Sequence, residues 1–267
     1  MSPDARLARS DPSGSGPAAA AAAPAVSLEG IWKGFGGLPV LRGLDFAAPR
    51  GGTVTVMGGS GSGKTVLLRL TAGLIKPDKG RVWTLGVDTT PLREEALLPL
   101  RRRMGFVFQG AALFDSLTAY ENVAYPLREH TTLPESEIAD RVHRILARVG
   151  LKDVDAKLPA ELSGGMRKRV GIARALILEP ELVLYDEPTA GLDPTNARLI
   201  TELVESLKAE GATETAMVVT HDLAFAQTVS DLIAVLIAGQ IAQVGPVDAI
   251  LHSPRPEVQA FLAGQAP

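Results

Sequence analysis

One octapeptide limits what this chain can fold into more than any other feature. Gly58-Gly59-Ser60-Gly61-Ser62-Gly63-Lys64-Thr65 fits the pattern G-x-x-x-x-G-K-[ST], and it is flanked as that pattern demands. The β-branched run Thr53-Val54-Thr55-Val56-Met57 before it reads as a buried strand, and Lys64 to about Ala72 reads as a helix that stops at Gly73, with Pro77 beyond. Glycines let backbone N–H groups turn inward around phosphate oxygens, and the positive end of the following helix adds to them. Lys64 would reach the β- and γ-phosphates and the Thr65 hydroxyl would ligate Mg²⁺. Taken alone, the octapeptide indicates a nucleotide phosphate and no more.

Strand and helix patterns alternate along most of the sequence. Met104–Phe108, Leu182–Tyr185 and Ala216–Thr220 read as strands, and Leu232–Ile237 with Gln240–Val244 reads as a hairpin turning at Ala238-Gly239. Between them Ile138, Val142, Ile145, Leu146 and Val149 form one apolar helical stripe, preceded by Pro134 and closed by Gly150. The alternation predicts an α/β fold, a largely parallel sheet covered by helices, with a helical block at about 97–166 inserted into it. From Val26 to Ala47 the sequence predicts short strands with glycine turns at Gly36-Gly37 and Gly43. The predicted divisions are a disordered Ala/Pro/Gly-rich tail over 1–25, a nucleotide-binding domain over 26–245 and a C-terminal helical segment over 246–267.

Composition narrows the function classes. Lys plus Arg (27) nearly balance Asp plus Glu (30), which argues against a nucleic-acid partner. With 0 cysteines the sequence has no disulfide, thiolate metal site or cysteine nucleophile. No stretch approaches the roughly 20 apolar residues of a membrane span. Asp4, Asp11 and Pro12 interrupt any signal-peptide core near the N-terminus, so a tail in a cytosolic protein is expected there.

Further motifs complete the loop. Leu182-Val183-Leu184-Tyr185 is followed by Asp186-Glu187, two acids at a strand's C-terminal end, where open α/β sheets bind ligands. Asp186 would hold Mg²⁺ through its water shell and Glu187 would polarise the attacking water. Ser163-Gly164-Gly165 opens a helix and leaves free N–H groups, an anion site. Any one of these reads equally as a solvated acid pair or a capping turn.

In this order and spacing the set resembles the ABC-type ATPases, with Glu161-Leu162-Ser163-Gly164-Gly165-Met166 as the signature motif, Met166 standing where most members have glutamine. That resemblance covers about residues 27–245. It implies a P-loop NTPase (RecA-like) core with an N-terminal antiparallel β subdomain and an inserted helical subdomain, binding ATP and Mg²⁺. It places Gln109 as the Q-loop glutamine on Mg²⁺, Asp193 in the D-loop Ala190-Gly191-Leu192-Asp193, His221 as the switch histidine on the γ-phosphate, and Phe35 against adenine. Val66 stands where many members have a second Thr or Ser, so one hydroxyl contact to the α-phosphate is missing. The implied assembly is a head-to-tail homodimer in which Ser163, Gly164 and Gly165 of one copy cap the ATP on the other.

Ala112-Leu113-Phe114-Asp115-Ser116, the segment Glu121–His130, and Met166 followed by Arg167-Lys168-Arg169 are similar to the ATPases of Mla and Mce lipid-transport systems. This implies an integral-membrane permease docked beside the Q-loop, an MCE-domain partner, a phospholipid or other hydrophobic cargo, and a peripheral place on the inner face of the bacterial cytoplasmic membrane. The sequence stops soon after Phe261-Leu262, which leaves in question any dimer contact through the longer tail of some Mla ATPases. An amino acid, metal complex or drug as cargo, and a soluble ABC ATPase outside transport, are the alternatives.

Overall fold

The computed structural model describes residues 23–265, so the expected disordered stretch 1–25 lies outside the described residues up to residue 22. The described chain opens with a hairpin of two long strands, β1 (Val26–Phe35) and β2 (Leu38–Ala48), turning at Gly36-Gly37. Gly43 is not a turn, contrary to the sequence reading. It is a bulge inside β2, skipped as the register passes from Ile31↔Leu44 to Trp32↔Arg42. With φ at 67° and the Trp32 indole 3.3 Å from where a Cβ would stand, the position suits glycine.

β3 (Gly52–Met57) is buried beyond its first residue and runs into the glycine loop and α1 (Lys64–Thr71). The chain returns through β4 (Lys79–Thr84) and β5 (Val87–Asp88), which join the hairpin in an antiparallel sheet of order β2-β1-β4-β5. α2 (Glu94–Arg101) then leads into β6 (Met104–Val107). Three helices follow: α3 (Ala119–His130), α4 (Glu135–Arg148) and, after a 3-10 turn at Pro159–Glu161, α5 (Gly164–Leu176). Thr118 and Glu121 close a capping box on α3, and α4 buries Ile138, Val142, Ile145 and Leu146 along its apolar stripe. The helical run therefore begins later than the 97–166 expected for it. β6 falls inside that range but is hydrogen-bonded in the main sheet, because Met104–Val107 pairs in parallel with Leu182–Tyr185.

The second half supplies β7 (Leu182–Asp186), α6 (Pro194–Ala209), β8 (Thr215–Thr220), α7 (Leu223–Val229), β9 (Leu232–Ile237) and β10 (Gln240–Gly245). Short helices α8 (Val247–Leu251) and α9 (Pro256–Leu262) end the described chain. The six-stranded sheet has the order β10-β9-β3-β8-β7-β6, parallel throughout except for β10. This is the α/β, RecA-like core with an antiparallel β subdomain and a helical subdomain that the resemblance implied.

Alternation along the central strands divides the core in two. Val183, Tyr185, Ala216 and Val218 join the cluster formed with α3, α4 and α5, whereas Leu182, Leu184, Met217 and Val219 join the cluster under α1 and the antiparallel sheet. Each large apolar side chain so buried contributes about 1.5–3 kcal/mol over its exposed state. A strand loaded on both faces reads as an unbroken apolar run, which is how β7 and β8 look in the sequence.

The two sheets meet at the tip of the β9–β10 hairpin. Ala238 and Gly239 take φ of 49° and 80°, the Arg42 amide donates to the Gly239 carbonyl at 3.0 Å, and the Gln240 side-chain amide donates to the Arg42 carbonyl at 3.0 Å. A Cβ on Gly239 would overlap the Val40 carbonyl oxygen. Gly239→Ala should thus cost about 1–3 kcal/mol of stability, read as a lower urea midpoint at unchanged slope. An unchanged midpoint would show that this contact between sheets gives way freely.

Candidate functional site

Four adjacent strands end on the same edge of the sheet, and each delivers one piece of the site. β3 ends in the loop Gly58–Gly63, β8 in His221, β7 in Asp186 and Glu187, and β6 is followed by Gln109. The register Met57↔Thr220 and Asp186↔Val219 makes these ends level. They surround a cavity of 700 Å³ lined by Val40, residues 59–66, Gln109, Glu187 and His221.

The loop geometry follows from its glycines. Gly61 and Gly63 take positive φ, a Cβ on Gly58 would stand 2.5 Å from the Ser62 hydroxyl, and one on Gly63 would press into Leu41 and Val40 of β2. The buried Lys64 ammonium donates to the carbonyls of Gly58 (2.8 Å) and Gly59 (3.1 Å) and stands 3.4 Å from Glu187 Oε1. The Ser62 hydroxyl is buried with no hydrogen-bond partner in the protein, an orphaned donor facing the phosphate loop. The Thr65 hydroxyl donates to Asp186 Oδ1 at 3.0 Å. A hydroxyl and a carboxylate side by side are hard oxygen donors of the kind Mg²⁺ takes, so these residues fit that ion. Burial pushes the Asp186 carboxyl above its ordinary value, the Thr65 hydrogen bond opposes this, and the Glu187 charge adds to it.

Glu187 is fixed from several sides. Its φ is 46°, a left-handed backbone held by its N–H donating to the Val219 carbonyl at 2.9 Å. Its Oε2 accepts from the Thr220 hydroxyl (3.1 Å) and the His221 amide (3.3 Å), and His221 Nδ1 lies 2.9 Å away. Facing a carboxylate, Nδ1 is the protonated ring nitrogen, which leaves Nε2 toward the cavity.

Five of the expected residues, Phe35, Ser163, Gly164, Gly165 and Asp193, stand apart from this cavity. Phe35 is exposed at the tip of the β1–β2 hairpin with the Lys33 ammonium 5.3 Å from its ring centre, and Val40 rather than Phe35 lines the cavity wall. Ser163 caps α5 by accepting from the Met166 amide at 3.2 Å, and Gly164 and Gly165 pack beside Leu192 and Asn196. Asp193 caps α6 through the amides of Thr195 and Asn196, and the Asn196 hydrogen bond holds its carboxyl below the ordinary range. Ser163–Gly165 and Asp193 thus form a second surface, joined through Asn196.

One residue of the site escaped the sequence reading. Lys168, the middle of Arg167-Lys168-Arg169, is buried, and its ammonium donates to the carbonyls of Gln109 (2.5 Å) and Glu187 (3.1 Å). Burial lowers its pKa, while Asp186 and Glu187 raise it. In sequence it reads as one of three surface cations, and only its place four residues before Ile172 on α5 hints that it turns inward.

Comparison with known proteins identifies the family and the fold. A family model described as ABC transporter matches residues 41–190, more than half of the 267 residues. The probable ribonucleotide transport ATP-binding protein mkl of Mycobacterium tuberculosis is 39% identical over 240 residues, 90% of this chain and 67% of that protein. Protein TRIGALACTOSYLDIACYLGLYCEROL 3, chloroplastic, of Arabidopsis thaliana is 40% identical over 255 residues, covering 90% and 73%. The methionine import ATP-binding protein MetN of Brucella abortus is 38% identical over 244 residues, covering 91% and 66%. Among solved structures, a dimeric ATP-binding cassette in a post-hydrolysis state bound to ADP and Pi superposes with a TM-score of 0.76 at 33% identity, covering 83% of this chain and 98% of that one. CbiO1 from Clostridium perfringens, part of the ABC transporter complex cbiONQ, gives a TM-score of 0.77 at 29% identity, covering 90% and 95%.

Replacing Lys64 by alanine should weaken ATP binding by roughly 10- to 100-fold, the scale of charged hydrogen bonds worth about 1.5–3 kcal/mol. Equilibrium titration with a fluorescent ATP analogue measures this. Unchanged affinity would remove the loop from the binding site.

Proposed function

The chain belongs to the ABC transporter family as an ATP-binding, ATP-hydrolysing subunit, and we propose that it energises movement of a phospholipid or another hydrophobic molecule through a separate permease with an MCE-domain partner. The observation that carries the motor reading is the convergence of Lys64, Thr65, Gln109, Asp186, Glu187 and His221 on one edge of the sheet. In this reading the triphosphate of ATP lies along Gly58–Thr65, with Val66 beside it and Phe35 against the adenine. Thr65, Asp186 and Gln109 would hold Mg²⁺, which when bound supplies positive charge to the phosphate oxygens. Lys64 neutralises charge on the γ-phosphate, and Glu187, clamped through Oε2, takes the proton of the attacking water. His221 Nε2 points the ring's second nitrogen at the same phosphate.

The chain works as a homodimer in this reading. Ser163, Gly164 and Gly165 stand outside their own chain's cavity, and the free N–H groups that open α5 suit an anion brought by another copy. Asp193, linked to them through Asn196, lies in the same contact. No helix among the described residues is long and apolar enough to cross a membrane, and the membrane path is assigned to the permease. An exposed aromatic pair beside the Gln109 loop, Phe114 and Tyr125 with ring centres 5.0 Å apart, suits a docking permease on the inner face of the cytoplasmic membrane.

Two observations support lipid cargo: the Ala112–His130 segment, and 40% identity to a protein bearing the name of a galactolipid. The 38% identity to a methionine import ATPase favours an amino-acid importer as the second reading.

Glu187→Gln should lower turnover by roughly 10²- to 10⁴-fold, the usual contribution of a general base, while ATP still binds and the dimer persists. Single-turnover hydrolysis and light scattering with ATP test this, and wild-type turnover in the variant would strike Glu187 from the role. Affinity purification from the native membrane should bring down a multi-spanning permease and an MCE-domain protein together. Recovery of an amino-acid solute-binding protein instead would overturn the lipid reading.

A further inference from the structure

α5 grips the loop after β6 along one face. Lys168 donates to the Gln109 carbonyl, Gly171 packs so close to Ala111 that a Cβ on it would stand 3.3 Å from the Ala111 methyl, and Arg174 donates to the carbonyls of Ala111 (2.9 Å) and Ala112 (2.8 Å). The grip is needed, because Ala111 and Ala112 take successive positive φ of 62° and 47°, conformations that alanine adopts only when its surroundings enforce them. The same face reaches Glu187, another non-glycine residue at positive φ, because the Lys168 ammonium donates to its carbonyl at 3.1 Å. One buried cation therefore joins two strained backbones, the loop that carries Gln109 and the residue that carries the general base.

We propose that Lys168 is a positioning residue for ATP hydrolysis, its ammonium tying the Gln109 loop to the backbone of Glu187 so that the loop's position sets the position of the base. This rests on the reading of Glu187 as base. The chemistry requires a compact multivalent donor. An ammonium has three N–H groups and spends two here on carbonyls just past the ends of different strands, and its charge sits beside the Asp186 and Glu187 carboxylates. A displacement of the Gln109 loop, which carries the exposed Phe114 beside Tyr125 of α3, would draw Lys168 and Glu187 with it. Lys168 needs no contact with nucleotide, and it is absent from the cavity lining.

The test uses the full-length protein with Lys168→Met, Lys168→Gln and Lys168→Arg, and with Glu187→Gln as reference. Lys168→Met should lower kcat by roughly 10- to 100-fold, the range produced by a misplacement of about 1 Å, with KM for ATP unchanged within about threefold. Lys168→Arg should recover part of that loss, and Lys168→Gln should fall between. Amide hydrogen exchange should rise together in the peptides spanning Phe108–Phe114 and Glu187–Leu192. If Lys168→Met does not fold, the kcat and KM of Lys168→Gln decide. Unchanged kcat in a folded variant, or kcat and KM failing together in step with lost thermal stability, would overturn the proposal. Full turnover in Glu187→Gln would instead overturn the reading of the base on which it rests.

Discussion

A strand buried on both faces has no register to spare. Shifting β7 by one residue would drive Tyr185 out of the cluster beneath the helices and toward α1, with Leu184 moving the other way. It would also carry Asp186 and Glu187 about 3.3 Å along the sheet, beyond the reach of Thr65 and Thr220. The apolar alternation of β7 and β8 therefore fixes hydrogen-bond distances at the sheet edge that no loop could hold by itself. Site geometry and core packing are one constraint here, and the parallel pairing Asp186↔Val219 expresses both.

On that edge the charges are balanced locally. Two buried ammonium groups, Lys64 and Lys168, face two buried carboxylates, Asp186 and Glu187, and each cation is also satisfied by backbone carbonyls. Taking an ion out of water costs several kcal/mol unless its partners are in place, so each charge depends on the others. Asp186 shows the tension, raised by burial and restrained by the Thr65 hydroxyl.

Much of this was legible in the sequence, and the gaps have physical causes. The β-branched run before Gly58 and the apolar run before Asp186 announce strands because both faces are buried. β4 and β5 went unassigned because Lys79-Gly80-Arg81 opens the first with polar, exposed residues and the second spans only Val87–Asp88. Gly43 reads as a turn because a bulge and a turn make the same demand on φ. Met104–Phe108 reads as a strand from its own residues, yet the helical block is drawn around it because its partner in the sheet, Leu182–Tyr185, lies far along the chain. Lys168 was passed over because a cation between two arginines reads as solvated surface. Its burial depends on two carbonyls 59 and 19 residues away, which no local pattern reveals. Likewise Asn122 looks like part of a subfamily motif, yet its buried amide accepts from the Phe114 amide and faces the carbonyls of Phe114, Leu117 and Thr118, locking that loop to α3.

The contact of Gly239 with Val40 bears on synthesis. Val40 walls the cavity, yet the strand that carries it is braced by a hairpin tip almost 200 residues later in the chain. During translation the phosphate loop would leave the ribosome early, while its lateral wall stays unsupported until the hairpin follows. Such long-range closure is slow to nucleate and leaves apolar surface uncovered meanwhile. The nascent chain would therefore gain its full grip on nucleotide only after the β9–β10 hairpin has emerged.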